Sequence, residues 1–293
     1  MQNILITGTS SGIGLATALE LARAGHKVYA TMRNPARSPE LARRTEAEGL
    51  PVSILTMDVD SDQSVEQCFT AVYRRDRHID VLINNAGIEQ HGAIEELPME
   101  AFRSVMETNY FGALRCIRQV LPRMRERGSG CIINVSSVAG KIASSPLGAY
   151  AATKYALEAL SEALAQEMKP FGVRVAIVEP GIIDTRMPRN MGAPPPSRYR
   201  QMRNIAALFE AALQQSRPPS IVAAVIKDIV ESGTWTLRHP AGPDAAPFLA
   251  WRAAMTDEQW TEFNSLPADE YRKRVKGDFG LDLDLPAEDA ASA

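Results

Sequence analysis

The sequence predicts an α/β protein built on a doubly wound parallel sheet with helices on both faces. Two observations carry that reading. Short apolar runs alternate with segments of helical periodicity over most of the chain, the pattern that βαβ units leave in a sequence. And the first apolar run ends in a glycine-rich turn, "TGTSSGIG" (Thr7–Gly14), which leads directly into the first helical segment. Right-handed crossovers then place helices on both faces of the sheet.

The elements follow in order. Asn3–Thr7 is a strand that stops at Gly8, and Ile13–Ala24 is a helix that stops at Gly25. Lys27–Met32 is the second strand, with a helix near Pro39–Glu48. Val52–Met57 is the third, with a helix from Ser64 to Arg75. Ile79–Ile83 is the fourth and runs into "NNAG". A long helical region spans Met99–Arg127, interrupted near Glu107–Thr108. Cys131–Val135 is the fifth strand. Tyr150–Lys169 is an alanine-rich helix stopped by Pro170, and Val173–Val178 is a sixth strand stopped by "EPG". Beyond Gly181 the pattern loosens. "NMGAPPPSRYR" reads as a loop, Met202–Gln215 and Ile221–Glu231 as helices, "TWTLRHP" as a last strand and Ala246–Phe263 as a further helix. The acidic, small-residue tail "GDFGLDLDLPAEDAASA" is expected to fray.

The 293 residues and 45% hydrophobic content support a sizeable core and exclude wholesale disorder. A net charge of −3 without a basic stripe argues against nucleic acid as a partner. Cys68, Cys116 and Cys131 are scattered, without a C-x-x-C pair, so neither a disulfide framework nor a metal site is suggested. Reduced thiols fit a cytoplasmic setting. No secretory signal and no membrane-spanning run is read in the chain.

The glycine turn has the physics of a phosphate cradle. Glycine admits tight backbone, free amide groups approach a pyrophosphate, and the helix start adds its partial positive charge. Ser10 and Ser11 add hydroxyls. In "GAYAATKYALEAL", Tyr150 and Lys154 stand four residues apart on one helical face. An ammonium beside a phenol favours the phenolate, so Lys154 is expected to lower the pKa of Tyr150 toward a useful acid/base. The stretch after the second strand, "VYATMRNPAR", holds no Asp or Glu that would bind a ribose 2′-hydroxyl. Met32 and Arg33 end the run instead, and a guanidinium suits a 2′-phosphate. NADP(H) is therefore expected as the cofactor in preference to NAD(H).

With these motifs in this order, the chain resembles the short-chain dehydrogenase/reductase family, over residues 3–188. The resemblance rests on "TGTSSGIG", "NNAG", Asn109 in "ETNYFGALR", Ser137 in "NVSS" thirteen residues before Tyr150, "YAATK", and "PG" with Thr185. It implies a Rossmann-type fold, a single domain with a C-terminal substrate-lid extension. Residues 1–245 would form the dinucleotide-binding and catalytic part, 186–215 the lid, and 246–293 a helical extension and acidic tail. It implies Asn109, Ser137, Tyr150 and Lys154 as the catalytic set. Ser137 would hold the substrate oxygen, Tyr150 would exchange its proton, Lys154 would assist and bind the cofactor ribose, and Asn109 would support a water relay to Lys154. The implied cofactor contacts are Gly8, Ser10, Ser11, Gly12, Ile13 and Gly14 in the loop; Arg33; Asp58 and Val59; Asn85, Ala86 and Gly87; Tyr150 and Lys154; and Pro180, Gly181, Ile183 and Thr185. "KVYATMR" and the long C-terminus are closest to the NADP-preferring hydroxysteroid and retinol dehydrogenase group.

The expected activity is interconversion of a carbonyl compound and an alcohol. Met187, Met191, Met202, Leu208, Phe209 and Leu213 either shape a site for a bulky apolar substrate or pack on the sheet. Glu89 and His91 either line the mouth of the site or are solvated. An isomerase or lyase and a catalytically silent nucleotide sensor are the competing readings. The loop spacing counts against the first, and the complete catalytic set against the second. The family further implies a homo-oligomer, dimer or tetramer, in which Met99–Arg127 and Tyr150–Lys169 pair with their symmetry mates.

Overall fold

A computed structural model describes residues 1–192, 196–215 and 217–285. The strands are β1 (Asn3–Thr7), β2 (Lys27–Met32), β3 (Val52–Thr56), β4 (Val81–Asn84), β5 (Gly130–Val135), β6 (Val173–Pro180) and β7 (Arg238–Ala241). They form one sheet in the order β3-β2-β1-β4-β5-β6-β7, every pair parallel. The order reverses between β1 and β4. In such sheets ligands bind beyond the strands' carboxyl ends at that point.

The strands are buried on both faces, so they read as continuous apolar runs, yet alternate residues serve different layers. Ile4, Ile6, Ile83, Ile133 and Val178 face one core, with α1 (Gly12–Arg23), α2 (Glu40–Glu48) and α9 (Ser220–Ser232). Leu5, Leu82, Ile132 and Val175 face the other, with α3 (Asp62–Arg75), α5 (Gly112–Arg127) and α6 (Gly148–Met168).

The interruption expected near Glu107–Thr108 is a single π-helical turn, Glu107–Phe111, joining α4 (Met99–Met106) to α5 without a break in direction of the chain. Several limits differ from expectation: β4 starts at Val81 rather than Ile79, α6 at Gly148 rather than Tyr150, and β7 at Arg238 rather than Thr234. Ser61 caps α3 by accepting from the Ser64 amide, so that helix starts earlier, at Asp62. β6 continues through Pro180, because its last residues pair with β7, Pro180 opposite Ala241.

The C-terminal part departs furthest from the sequence reading. After α7 (Arg186–Arg189) and α8 (Gln201–Leu213), the single helix expected over Ala246–Phe263 is two, α10 (Ala245–Ala253) and α11 (Asp257–Asn264). Thr256 separates them with a reciprocal capping box to Gln259. A further helix, α12 (Ala268–Phe279), was not foreseen. The first part of the acidic tail does not fray. Leu281, Leu283 and Leu285 are buried with Phe263, Tyr271 and Val275 in a third core against α8. The remainder of the tail, residues 286–293, and residues 193–195 of the expected loop lie outside the described residues. Among the described residues no helix is long and apolar enough to cross a membrane.

Candidate active site

A cleft of about 600 Å³ opens above the carboxyl ends of the strands. One half of its wall is backbone. Gly8, Ser10, Ser11, Gly12, Ile13 and Gly14 form its floor where β1 turns into α1. Two of these positions require glycine. Gly8 has φ +71° and a Cβ there would lie 2.7 Å from Ala86 Cα, while a Cβ on Gly14 would meet Gly8 O at 2.3 Å and Asn85 Nδ2 at 2.4 Å. The loop is held from β4. Asn85 Nδ2 donates to Thr7 O (2.9 Å) and Gly8 O (3.0 Å), and the Asn85 and Ala86 amides donate to Thr7 Oγ1. Asn85 therefore buttresses the loop with its side chain while lining the cleft beside Ala86 and Gly87. The first-turn residues of α1 line this half, and a helix start leaves amide groups without partners inside the helix.

Around it stand the other expected contacts. Met32, Arg33, Asp58 and Val59 line the cleft at the ends of β2 and β3, together with Asp60. Met32 is buried and Arg33 exposed. Burial raises the Asp60 pKa, opposed by a hydrogen bond from Thr108 and by the Arg33 charge. Pro180, Gly181, Ile183 and Thr185 close the far side, after β6. Here the buried Asp244 accepts from the Ile182 amide at 2.8 Å and packs so closely that a Cβ on Gly181 would lie 2.4 Å from its oxygen.

Ser137, Tyr150 and Lys154 meet at the junction of the two halves. Ser137 caps the short turn that follows β5, accepting from the Ala139 amide at 3.1 Å, and lines the cleft with Tyr150. Lys154 lies one helical turn behind Tyr150, its Nζ 5.6 Å from the ring centre and donating to Val135 O at 2.9 Å. The expected depression of the Tyr150 pKa is not what the protein's own groups produce. Burial pushes the phenol up to about 12, with a further push from Glu89, against a lowering by Ser137. Burial likewise takes Lys154 down to about 8, opposed by the Glu158 carboxylate one turn on. Burial is the largest influence on the phenol, and Lys154 is not among the groups that shift it. Tyr150 thus stands as a protonated donor, with a hydroxyl neighbour at the same spot.

Asn109 does not reach the cleft wall. It is buried in the π-helical turn, where Nδ2 donates to Ile88 O (2.9 Å) and Thr153 Oγ1 (3.0 Å) and Oδ1 accepts from the Ile88 amide (2.8 Å). Thr153 in turn donates to Tyr150 O at 2.7 Å. The wider turn is what lets an asparagine side chain clamp both the loop after "NNAG" and the Tyr150 turn of α6.

The other half of the cleft is made of side chains. Met187, Met191, Leu208 and Phe209 come from the segment after β6, and Phe248, Trp251, Trp260, Phe263 and Phe279 from α10 to α12. Trp251 meets Trp260, Phe263 and Phe279 edge to face, with ring centres 4.7–5.4 Å apart. Trp260 also donates to Ala143 O at 2.7 Å, tying α11 to the loop before α6. The sequence reading missed this aromatic wall. The signal available was the density of aromatic residues between 248 and 279, without a spacing to fix which of them converge. Glu89 lines the cleft, whereas His91, read beside it, does not.

The cleft therefore offers a cradle for a phosphorylated nucleotide, a phenol–hydroxyl pair that can exchange a proton with an oxygen, and an apolar chamber. Comparison with known proteins places the chain in a family of oxidoreductases. The short chain dehydrogenase family model matches residues 2–195. Retinol dehydrogenase 8 of Bos taurus is 34% identical over 268 residues, 86% of this chain and 85% of that protein. The crystal structure of a short-chain dehydrogenase from Streptomyces avermitilis superposes with a TM-score of 0.77 at 32% identity, covering 94% of this chain and 99% of that one. An actinorhodin polyketide ketoreductase crystallised with NADPH gives a TM-score of 0.72 at 28% identity, covering 82% and 95%. The chain is an oxidoreductase that belongs to the short-chain dehydrogenase/reductase family.

Proposed function

We propose that the protein is an NADP(H)-dependent oxidoreductase that interconverts a bulky apolar ketone or aldehyde and its alcohol. The observation that carries the reading is the meeting of Ser137 and Tyr150 between a glycine-loop cradle and an aromatic chamber in one cleft. The nicotinamide supplies the hydride when bound. The residues of the chain do the rest. The Ser137 hydroxyl holds the substrate oxygen against the Tyr150 hydroxyl, which donates the proton in reduction and receives it in oxidation. Lys154 and the Asn109–Thr153 clamp fix the helical turn that carries Tyr150. Gly8 to Gly14, Asp58, Val59, Asn85 to Gly87, Lys154 and the Pro180–Thr185 segment hold the cofactor.

NADP(H) is favoured over NAD(H) because no carboxylate ends β2, and Arg33 stands there at the cleft with a guanidinium suited to phosphate. The NADPH-bound ketoreductase neighbour supports this, and the retinol dehydrogenase relative supports a long apolar substrate. Residues 1–245 are assigned to the cofactor and the chemistry, with 186–215 as lid, and the extension beyond them to closing the apolar end. Three buried free thiols suit a cytoplasmic protein. A homodimer in which Met99–Arg127 and Tyr150–Lys169 pair with their symmetry mates fits the family, and Phe111 within the first of these segments is exposed. Light scattering at micromolar concentration is expected to return twice the mass of the chain, and a monomer mass overturns the dimer.

The test of the activity is kcat/KM for NADPH and NADH with a panel of ketones, for wild type and Met32→Asp. Wild type is expected to prefer NADPH, and Met32→Asp to shift the preference toward NADH. Equal efficiencies in the wild type refute the cofactor assignment.

A further inference from the structure

Glu89 follows "NNAG" on the loop after β4 and belongs neither to the cradle nor to the apolar chamber. It shares the cleft with Tyr150, and its charge acts on the Tyr150 phenol. Its Oε1 accepts from Nδ2 of Asn190 at 3.2 Å, which fixes the carboxyl at the boundary between that loop and the segment after α7. The two other carboxylates of the loop are engaged elsewhere, Glu95 by Tyr199, and Glu96 by Ser197 Oγ at 2.7 Å and the Arg198 amide. A substrate oxygen held by Ser137 and Tyr150 thus has a third oxygen-bearing group in attendance, one the proton transfer does not use.

We propose that Glu89 is a specificity-determining residue: its carboxyl group, anchored on Asn190 beside Tyr150, hydrogen-bonds an uncharged oxygen substituent next to the reacting carbonyl and selects against substrates that carry a carboxylate there. This rests on the carbonyl-binding role of Ser137 and Tyr150 given above. A neutral acid can both donate to and accept from such a substituent. Ionised, it still accepts from a hydroxyl but repels an anion at close range.

Burial raises the Glu89 pKa to about 7, against a lowering by the Asn190 hydrogen bond, so both forms are present near neutrality. Tyr150 and Lys154 on α6 and Arg186 at the start of α7 line the cleft with Glu89, and His91, Glu95 and Glu96 share its loop. Tyr150 keeps its proton throughout the range, and His91 is held below its ordinary value by burial. Arg189 is engaged by Asp184 at 2.6 Å. Lys154 titrates at about 8 and its loss of charge also disfavours anions, so the comparison must keep Lys154 intact.

Trp251 and Trp260 line the same cleft and report occupancy without turnover. The experiment measures dissociation constants by quenching of their fluorescence, in the protein loaded with NADP⁺, which cannot reduce a ketone, for a matched β-hydroxy ketone and a γ-keto carboxylate at half-unit steps from pH 6 to pH 8. In wild type the ratio of carboxylate to hydroxy-ketone dissociation constants is expected to rise roughly tenfold or more across that range, as Glu89 ionises. In Glu89→Gln most of that rise should vanish, leaving the part due to Lys154. In Asn190→Ala, which removes the bond that lowers the Glu89 pKa, the midpoint should move to higher pH. A Glu89→Gln protein with the wild-type ratio at every pH, or an Asn190→Ala protein with an unmoved midpoint, overturns the proposal. Because the readout is binding, a protein that shows this selectivity and transfers no hydride would refute the proposed reaction and leave Glu89 standing.

Discussion

The two halves of the cleft are made of different material. The cradle is backbone: strand ends, helix-start amides and two glycines whose Cβ atoms would collide with neighbouring main chain or with Asn85. The chamber is side chain: methionine, leucine and aromatic rings from five helices after β6. A phosphate-bearing ligand needs donors at fixed places, which only a constrained backbone supplies cheaply. An apolar ligand needs only volume and area, which many side-chain sets can provide. The first half is therefore constrained in sequence and the second is free to vary with substrate.

That division can be broken at its junction and then on either side. Tyr150→Phe keeps the ring and removes the proton. Turnover is expected to fall by roughly 10²–10⁴-fold, with NADPH affinity measured by fluorescence within about twofold of wild type. Retention of most activity would move the acid elsewhere. The pH dependence sharpens the same point. Because burial holds Tyr150 at about 12, its base form is scarce at neutrality and grows tenfold per pH unit below that value. Alcohol oxidation should therefore rise with pH from 7 to 9, while reduction, which needs the phenol, should show no such rise. Parallel profiles in the two directions would contradict the assignment.

On the cradle side, Arg33→Ala removes a charge-assisted contact of about 1.5–3 kcal/mol. NADPH affinity is expected to drop about ten- to a hundredfold, and NADH affinity hardly at all. A variant that still discriminates fully would place phosphate recognition on other residues. On the chamber side, Trp251→Ala removes the ring that meets three other aromatics. The KM for a bulky ketone should rise by roughly tenfold while that for a small ketone and for NADPH stays near wild type. An equal rise for small and bulky ketones would mean that Trp251 supports the fold rather than the substrate.

The same contrast explains what could be read in the sequence. The parallel sheet of alternating strands and helices, the glycine turn and the pairing of Tyr150 with Lys154 follow from local patterns: strand ends, glycine positions, and residues four apart on a helix; Ser137 came from the family resemblance, and the strand order is recorded in no local pattern. α12 and the burial of Leu281, Leu283 and Leu285 did not show, because the charged residues of "ADEYRKRVKGDF" mask a narrow apolar stripe, Tyr271 and Val275. The inward faces of Trp251 and Phe279 depend on how α10 and α12 cross, which no spacing records. Asn109 was visible as a residue but not its work, since the clamp requires the π-helical turn that brings it to Ile88 and Thr153. The pKa of Tyr150 was misjudged for a related reason: proximity to Lys154 is written in the sequence, and burial is not.

The most direct test of the account is to follow the hydride itself. NADPH deuterated at the transferable C4 position is mixed with the protein and a bulky apolar ketone, and the products are resolved by mass spectrometry and NMR. The account predicts that deuterium appears on the carbinol carbon of the alcohol in step with loss of reduced-nicotinamide absorbance, and that Tyr150→Phe slows both together. Tight NADPH binding with no label transferred to any ketone in the panel would contradict it.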